Sequence, residues 1–227
     1  IDRNTFPDYE VMRTIMTLLT KGIIDISREN GEEDKPILPK NDVLKLKEKF
    51  ADRKNYKLDK EFGKVLIFSD DNDRIRYLIN AINTLPEFYI HKEFLKGMGL
   101  NQYLGVAGHL QISESIQVTF IVVPVSEIFS PLWRPLSNSM LCGLTILNGE
   151  AERWDEINKI AGYFQGRLGK PIAFAIQESE ASGDKVREIK ERMNRKNDVM
   201  LFPVMKNDTE GVRTMLSTLF HSVIGAV

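Results

Sequence analysis

Short runs of uninterrupted apolar residues recur along the later part of this 227-residue chain, and most are followed by a stretch with apolar residues at helical spacing. The runs are Lys64-Val-Leu-Ile-Phe-Ser69, Leu141-Cys-Gly-Leu-Thr-Ile-Leu147, Pro171-Ile-Ala-Phe-Ala-Ile176 and Val199-Met-Leu-Phe-Pro-Val204. A strand that is apolar on both sides must be covered on both sides, a condition met by sheets sandwiched between helices. The helical stretches supply that cover. Residues 72–85 carry Ile75, Leu78, Ile79, Ile82 and Leu85, and residues 152–168 carry Ile157, Ile160, Ala161, Phe164 and Leu168. Residues 183–195 read as a charged surface helix, and 209–223 as a helix with Val212, Met215, Leu216, Leu219, Phe220 and Val223 inward.

Two further strand-like runs, 104–112 and 117–123, are separated only by Ser113-Glu-Ser115. A parallel crossover needs about a dozen residues, so these two runs form an antiparallel hairpin. The expected fold is α/β: a sheet of about six strands, mostly parallel with one antiparallel edge hairpin, and helices on both faces.

Upstream the pattern is different. Residues 9–24 read as one amphipathic helix with Val11, Ile15, Leu18 and Leu19 on a shared face, opened by Pro7-Asp8 and closed near Gly22. Its apolar surface is too small to fold alone. Residues 27–62 are polar and charged, with Pro36 and Pro39, and read as a linker holding a short helix near 41–52. The expected organisation is an N-terminal helix over 1–26, a charged linker over 27–62 and an α/β domain over 63–227. The chain begins at Ile1 with no signal-peptide pattern, which reads as a cytoplasmic fragment of a longer protein.

Charge and cysteine use narrow the function classes. The 31 basic and 32 acidic residues leave a net charge of -1, so no overall electrostatic footprint for nucleic acid exists. The single cysteine, Cys142, excludes a disulfide framework and a multi-cysteine zinc site, and the histidines at 91, 109 and 221 are scattered. No apolar run reaches the length of a membrane span.

The turn after the first apolar run is Ser69-Asp-Asp-Asn-Asp-Arg74, and the run over 117–123 leads into Pro124-Val-Ser-Glu-Ile-Phe-Ser130 followed by Trp133-Arg-Pro-Leu136. With the element order over 63–224, these segments resemble a Ras-like small GTPase. The stretch Ile121 to Ser130 and the ending Phe202-Pro-Val-Met-Lys-Asn-Asp-Thr-Glu-Gly-Val212 look like the bacterial gliding-motility (Mgl-type) branch. The N-terminal helix with its Lys21-Gly-Ile-Ile24 ending resembles the tail of a PATAN-type regulatory domain.

The resemblance implies nucleotide chemistry that the residues do not support. A phosphate loop needs glycines to bring backbone N–H groups around the phosphates, a lysine for the outer ones and a Ser or Thr for magnesium. Ser69, Asp70, Asp71, Asn72, Asp73 and Arg74 at that position include neither glycine nor lysine. Carboxylates there cap the helix and carry the same sign of charge as phosphate. Pro124, Val125 and Ser126 stand where the second switch holds a glycine and a water-positioning glutamine. Gln177, Glu178 and Glu180 stand at the guanine-reading motif, with Glu178 reversing the charge of its lysine.

Two other readings remain open. One is an atypical nucleotide-binding switch with a rewired phosphate site using Arg74 or Arg76. The other is a receiver-like domain, suggested by the paired acids of Phe68-Ser-Asp-Asp-Asn72 and by Lys206, but opposed by the hairpin and by the absence of an aspartate at the end of the strand over 117–123. The leading expectation is a catalytically silent GTPase-like module in bacterial signalling. It uses no cofactor, binds neither nucleotide nor nucleic acid, does not insert into membranes, and acts through a protein partner. The expected partner surface spans roughly 88–138, with Phe129 and Trp133 as candidate anchors because aromatic residues dominate interfaces.

Overall fold

The computed structural model describes residues 35–51, 61–97, 103–147, 153–177, 179, 181–193 and 200–225. The expected helix over 9–24, and with it the PATAN-like ending, lies outside them. The chain divides between Lys35 and Pro36, and the unit that begins at Pro36 carries the sheet.

In chain order this unit runs α1 (Lys40–Ala51), β1 (Glu61–Phe68), α2 (Asn72–Ile82), β2 (Phe88–Ile90), α3 (Lys92–Gly97), β3 (Gly105–Ser113) and β4 (Ile116–Val123). A 3-10 turn (Glu127–Leu132) leads into α4 (Trp133–Ser137), then β5 (Met140–Ile146) and α5 (Trp154–Ala161), which widens into a π-helical turn at Gly162–Arg167. The remainder is β6 (Ile172–Gln177), α6 (Gly183–Arg192), β7 (Met200–Val204) and α7 (Thr209–Gly225).

The strands form one seven-stranded sheet in the order β2-β3-β4-β1-β5-β6-β7. The β4-β1, β1-β5, β5-β6 and β6-β7 pairs are parallel, while β2-β3 and β3-β4 are antiparallel. The expected hairpin is present, but the sheet has seven strands instead of about six. The additional strand, β2, is three residues long and therefore too short to show a period. It lies close on β3 because Gly108 has no side chain. A Cβ there would meet the Phe88 ring and approach the Tyr89 carbonyl oxygen to 2.7 Å.

Alternation along β1 sends Val65 and Ile67 to one face and Leu66 and Phe68 to the other. The first face is covered by α1, α2 and α7 through Leu46, Ile75, Leu78, Leu216 and Phe220. The second is covered by α5 and α6 through Ile157, Ile160, Phe164 and Ile189, with Trp133 of α4 beside them. Helix α1 belongs to this domain, although its sequence reads as part of a charged linker. Val43, Leu46 and Phe50 make a narrow stripe at helical spacing, and Leu46 and Phe50 are buried against the first face. His221 Nε2 of α7 lies 3.1 Å from Asp42 Oδ2 of α1. Lys45 and then His221 hold the Asp42 carboxyl below its usual range. Among the described residues no helix is long and apolar enough to cross a membrane.

Candidate functional site

The chain leaves β1 and β4 in opposite directions. After β1 it enters α2, whose Ile75 and Leu78 pack on the first face, and after β4 it reaches Trp133, which packs on the second. Two adjacent strands whose exits diverge leave a crevice beyond their carboxyl ends, the place where ligands bind in open α/β sheets. Ser69, Asp70, Asp71, Asn72, Asp73 and Arg74 follow β1 and Pro124, Val125 and Ser126 follow β4, so the two predicted segments leave the sheet at the same end of adjacent strands.

Only three residues, Ser69 to Asp71, connect β1 to α2. Ser69 is buried; its N–H donates to the Val123 carbonyl (3.3 Å) and its hydroxyl accepts from the Asp71 N–H (3.1 Å). Asp71 has extended backbone angles and caps α2, its Oδ1 accepting from the N–H groups of Asp73 (2.9 Å) and Arg74 (3.1 Å). Those are the helix-terminal donors an anion would use. Arg74 is turned into the protein: its Nε lies 3.2 Å from Asp71 Oδ2, and its Nη1 donates to the Leu147 carbonyl (3.0 Å) just beyond β5. Arg76 Nη1 is 3.7 Å from Asp73 Oδ1 on the exposed side. The Tyr77 hydroxyl donates to the Val204 carbonyl (3.1 Å), with Lys206 Nζ 5.4 Å from the ring centre.

Asp70 spans the crevice. Its Oδ1 accepts the Val125 N–H at 2.8 Å, and its Oδ2 lies 3.2 Å from Arg153 Nη1. A carboxylate so placed makes a charge-assisted hydrogen bond to the backbone and an ion pair at once. Beyond Val125, the Ser126 carbonyl accepts from the Phe129 N–H (3.0 Å), and Glu127 Oε2 meets Lys159 Nζ at 2.8 Å. Arg153 stands just before the start of α5, and its partnership with Asp70 carries no sequence period.

The remaining predicted residues separate. Gln177 ends β6, half-buried and in register with Val204, while Glu178 and Glu180 lie outside the described residues. Phe129 is half-buried and its neighbour Ile128 is 77% exposed. Trp133 is a correction to the expected partner surface. It is only 8% exposed, with its ring 5.4 Å from that of Tyr163 and 6.0 Å from that of Phe164, so it packs the second face of the domain. Of the other expected surface residues, Phe88, Phe94 and Tyr103 are buried, and Tyr89 and Leu95 are exposed.

The other titratable singletons make no reactive group. Cys142 is fully buried in β5 and burial pushes its thiol pKa up, which keeps it protonated. His109 Nδ1 lies 3.1 Å from Thr119 Oγ1 and its ring 6.1 Å from that of His91; burial, then the His91 charge, lowers its pKa. Among the described residues no group of three or more His, Cys, Asp or Glu is placed to hold a metal ion.

No protein-family model matches the sequence, and neither does any curated protein. Solved structures do match in shape. The apo form of the translation elongation factor SelB from Methanococcus maripaludis superposes with a TM-score of 0.50 at 14% identity, over 74% of this chain and 38% of that one. The same factor in complex with the GTP analogue GppNHp gives 0.49 at 12% identity, over 75% and 35%. The nucleolar GTP-binding protein 1 of Plasmodium falciparum gives 0.46 at 14% identity, over 73% and 88%. The chain thus spans little more than a third of the elongation-factor chains it matches. Identities this low speak to architecture alone, and the architecture is a GTPase-like α/β fold: a mostly parallel sheet with antiparallel strands at one edge and helices on both faces.

Proposed function

We propose that this chain is a catalytically silent GTPase-like module, related to the Mgl-type branch, that works in bacterial cytoplasmic signalling by binding another protein. The observation that carries this reading is the three-residue connection from β1 to α2. A phosphate loop of the form G-x-x-x-x-G-K-[ST] needs a longer connection, because its backbone must wrap around the phosphates before the helix starts. Here the connection has no glycine and no lysine, and its own carboxylates take the N–H groups that would face an anion. Each lost charge-assisted hydrogen bond weakens binding by about 1.5–3 kcal/mol, and two or three together by roughly two to six orders of magnitude. Asp70 and Asp71 repel phosphate as well.

With nucleotide exchange gone, a domain of this shape acts through its surface. The exposed apolar side chains Tyr89, Leu95 and Ile128, with half-buried Phe129, supply residue types that anchor protein interfaces. Equilibrium titration with labelled GTP, GDP and ATP, with and without magnesium, tests the reading. Binding no tighter than high micromolar is expected. Low-micromolar affinity for any of the three overturns it and favours an atypical nucleotide-binding switch.

A further inference from the structure

We infer that Asp70 is a built-in substitute for a ligand, a fixed carboxylate that closes the crevice between β1 and β4 and holds the segment after β4 in one conformation. The inference rests on the silent reading in one respect: it takes the crevice to be free of nucleotide.

Asp70 and Val125 are far apart in sequence and come from loops that leave the sheet toward opposite faces. The β1–β4 register sets Phe68 opposite Val123 and so brings their continuations, Asp70 and Val125, side by side, and Asp70 Oδ1 comes to 2.8 Å from the Val125 nitrogen. The Val125 N–H extends past the last ladder position of β4, which is Val123 opposite Phe68. Without an acceptor it would be a partly buried orphan donor. In a switch GTPase the corresponding order comes from a nucleotide phosphate and is lost when that phosphate leaves. Here the anionic acceptor is covalently part of the chain, so it cannot leave. Arg153, half exposed, places Nη1 3.2 Å from Asp70 Oδ2 on the other side of the carboxylate and 4.0 Å from Glu156 Oε1.

The neighbouring residues act in the same sense. Arg74, in the first turn of α2, donates to the Leu147 carbonyl, so the connection and the helix start together tie down the chain after β4 and the chain after β5. Further along the segment, Lys159 of α5 holds Glu127, and Pro131 removes backbone freedom. The surface bearing Ile128 and Phe129 is therefore set permanently by Asp70, not gated.

The test is amide exchange at Val125 by NMR, using the full chain with nitrogen-labelled valine. Asp70→Ala removes the acceptor, and Val125 exchange is expected to accelerate about tenfold or more, the equivalent of one charge-assisted hydrogen bond. Asp70→Asn keeps an acceptor oxygen in place, and protection is expected to stay within about threefold of wild type. Val122 and Val123 in β4 should be unchanged in both, reporting an intact sheet. Should alanine unfold the domain, Asp70→Ser, whose hydroxyl is too short to reach, carries the same expectation. Equal Val125 protection in wild type and in the alanine or serine variant overturns the inference. Nucleotide titration of the same samples separates the two conclusions. Tight binding by wild type would remove the silent reading and leave the Val125 comparison standing or falling by itself.

Discussion

Arg213 Nη1 of α7 lies 3.0 Å from Glu87 Oε1, in the loop that leads into β2, and the arginine side chain is only 7% exposed. The Glu87 carbonyl also accepts the Gln111 N–H (2.9 Å) from β3, so the pair joins the last helix to the antiparallel edge of the sheet.

Breaking this part-buried pair leaves the arginine or the glutamate without its charged hydrogen-bond partner. Arg213→Ala or Glu87→Ala should therefore cost about 1.5–3 kcal/mol of folding stability. Replacing both with apolar residues of similar volume, Arg213→Met with Glu87→Leu, should recover most of that loss. Urea unfolding of the four proteins forms a double-mutant cycle. A double variant as unstable as the sum of the singles would show that the two charges act independently.

Trp133 packs against Tyr163 and Phe164, and Phe164 in turn lies 5.1 Å from Phe68 of the central strand. Trp133→Ala should destabilise the fold by about 3–5 kcal/mol, as expected for emptying a large buried site. Ile128→Ala, at a side chain mostly in water, should change stability by less than about 0.5 kcal/mol. Denaturant midpoints distinguish the two. A stable Trp133→Ala protein would place the indole outside the core after all.

Periodicity explains why so much of the fold could be read beforehand and where the reading stopped. The stripe Val212, Met215, Leu216, Leu219, Phe220 and Val223 became the buried side of α7, and the short link over 113–115 required the hairpin. Strand β2 has only Phe88 to Ile90 to display a pattern, and α1 buries only a narrow stripe within a highly charged segment. At the crevice, the acidic residues and the capping were readable from composition, because Asp beside a helix start has a local cause. The Asp70–Val125 and Asp70–Arg153 contacts were not, since a single hydrogen bond or ion pair between distant residues leaves no repeat in the chain. Trp133 shows the converse limit: residue type suggests an interface anchor, but only packing decides which side of the surface an aromatic ring takes.

Cys142 sets a pH dependence whose sign follows from its burial. Its thiol pKa is raised in the folded protein because the charged thiolate is excluded from β5. In the unfolded chain it ionises near the ordinary value of about 8.5. Below that value its contribution is fully present. Above it the unfolded state loses a proton that the folded state retains, so stability falls as pH rises, by at most about 1.4 kcal/mol per pH unit from this one group. Cys142→Ala should flatten that part of the profile, measured by urea unfolding between neutral and alkaline pH. The native protein should also resist thiol reagents until it unfolds. Rapid labelling under native conditions would contradict the burial.

The three aspartates at the start of α2 should respond differently to substitution, because each occupies a different position relative to the helix end. Asp71 is the cap and accepts two backbone N–H groups, so Asp71→Ala should cost about 1 kcal/mol, while Asp71→Asn, which also caps well, should cost only tenths. Asp73 lies in the first turn with its side chain 91% exposed, near Arg76 and the positive end of the helix dipole. Asp73→Ala should cost less than about 0.5 kcal/mol, and less still in high salt, which screens exposed charges. Asp70 does no capping, so its substitution should leave the helicity of α2 intact and act on the segment after β4 instead. Urea unfolding at low and high salt, alongside circular dichroism, orders the three. A cost at Asp73 as large as that at Asp71 would mean that charge near the dipole, not the capping hydrogen bonds, holds the start of this helix.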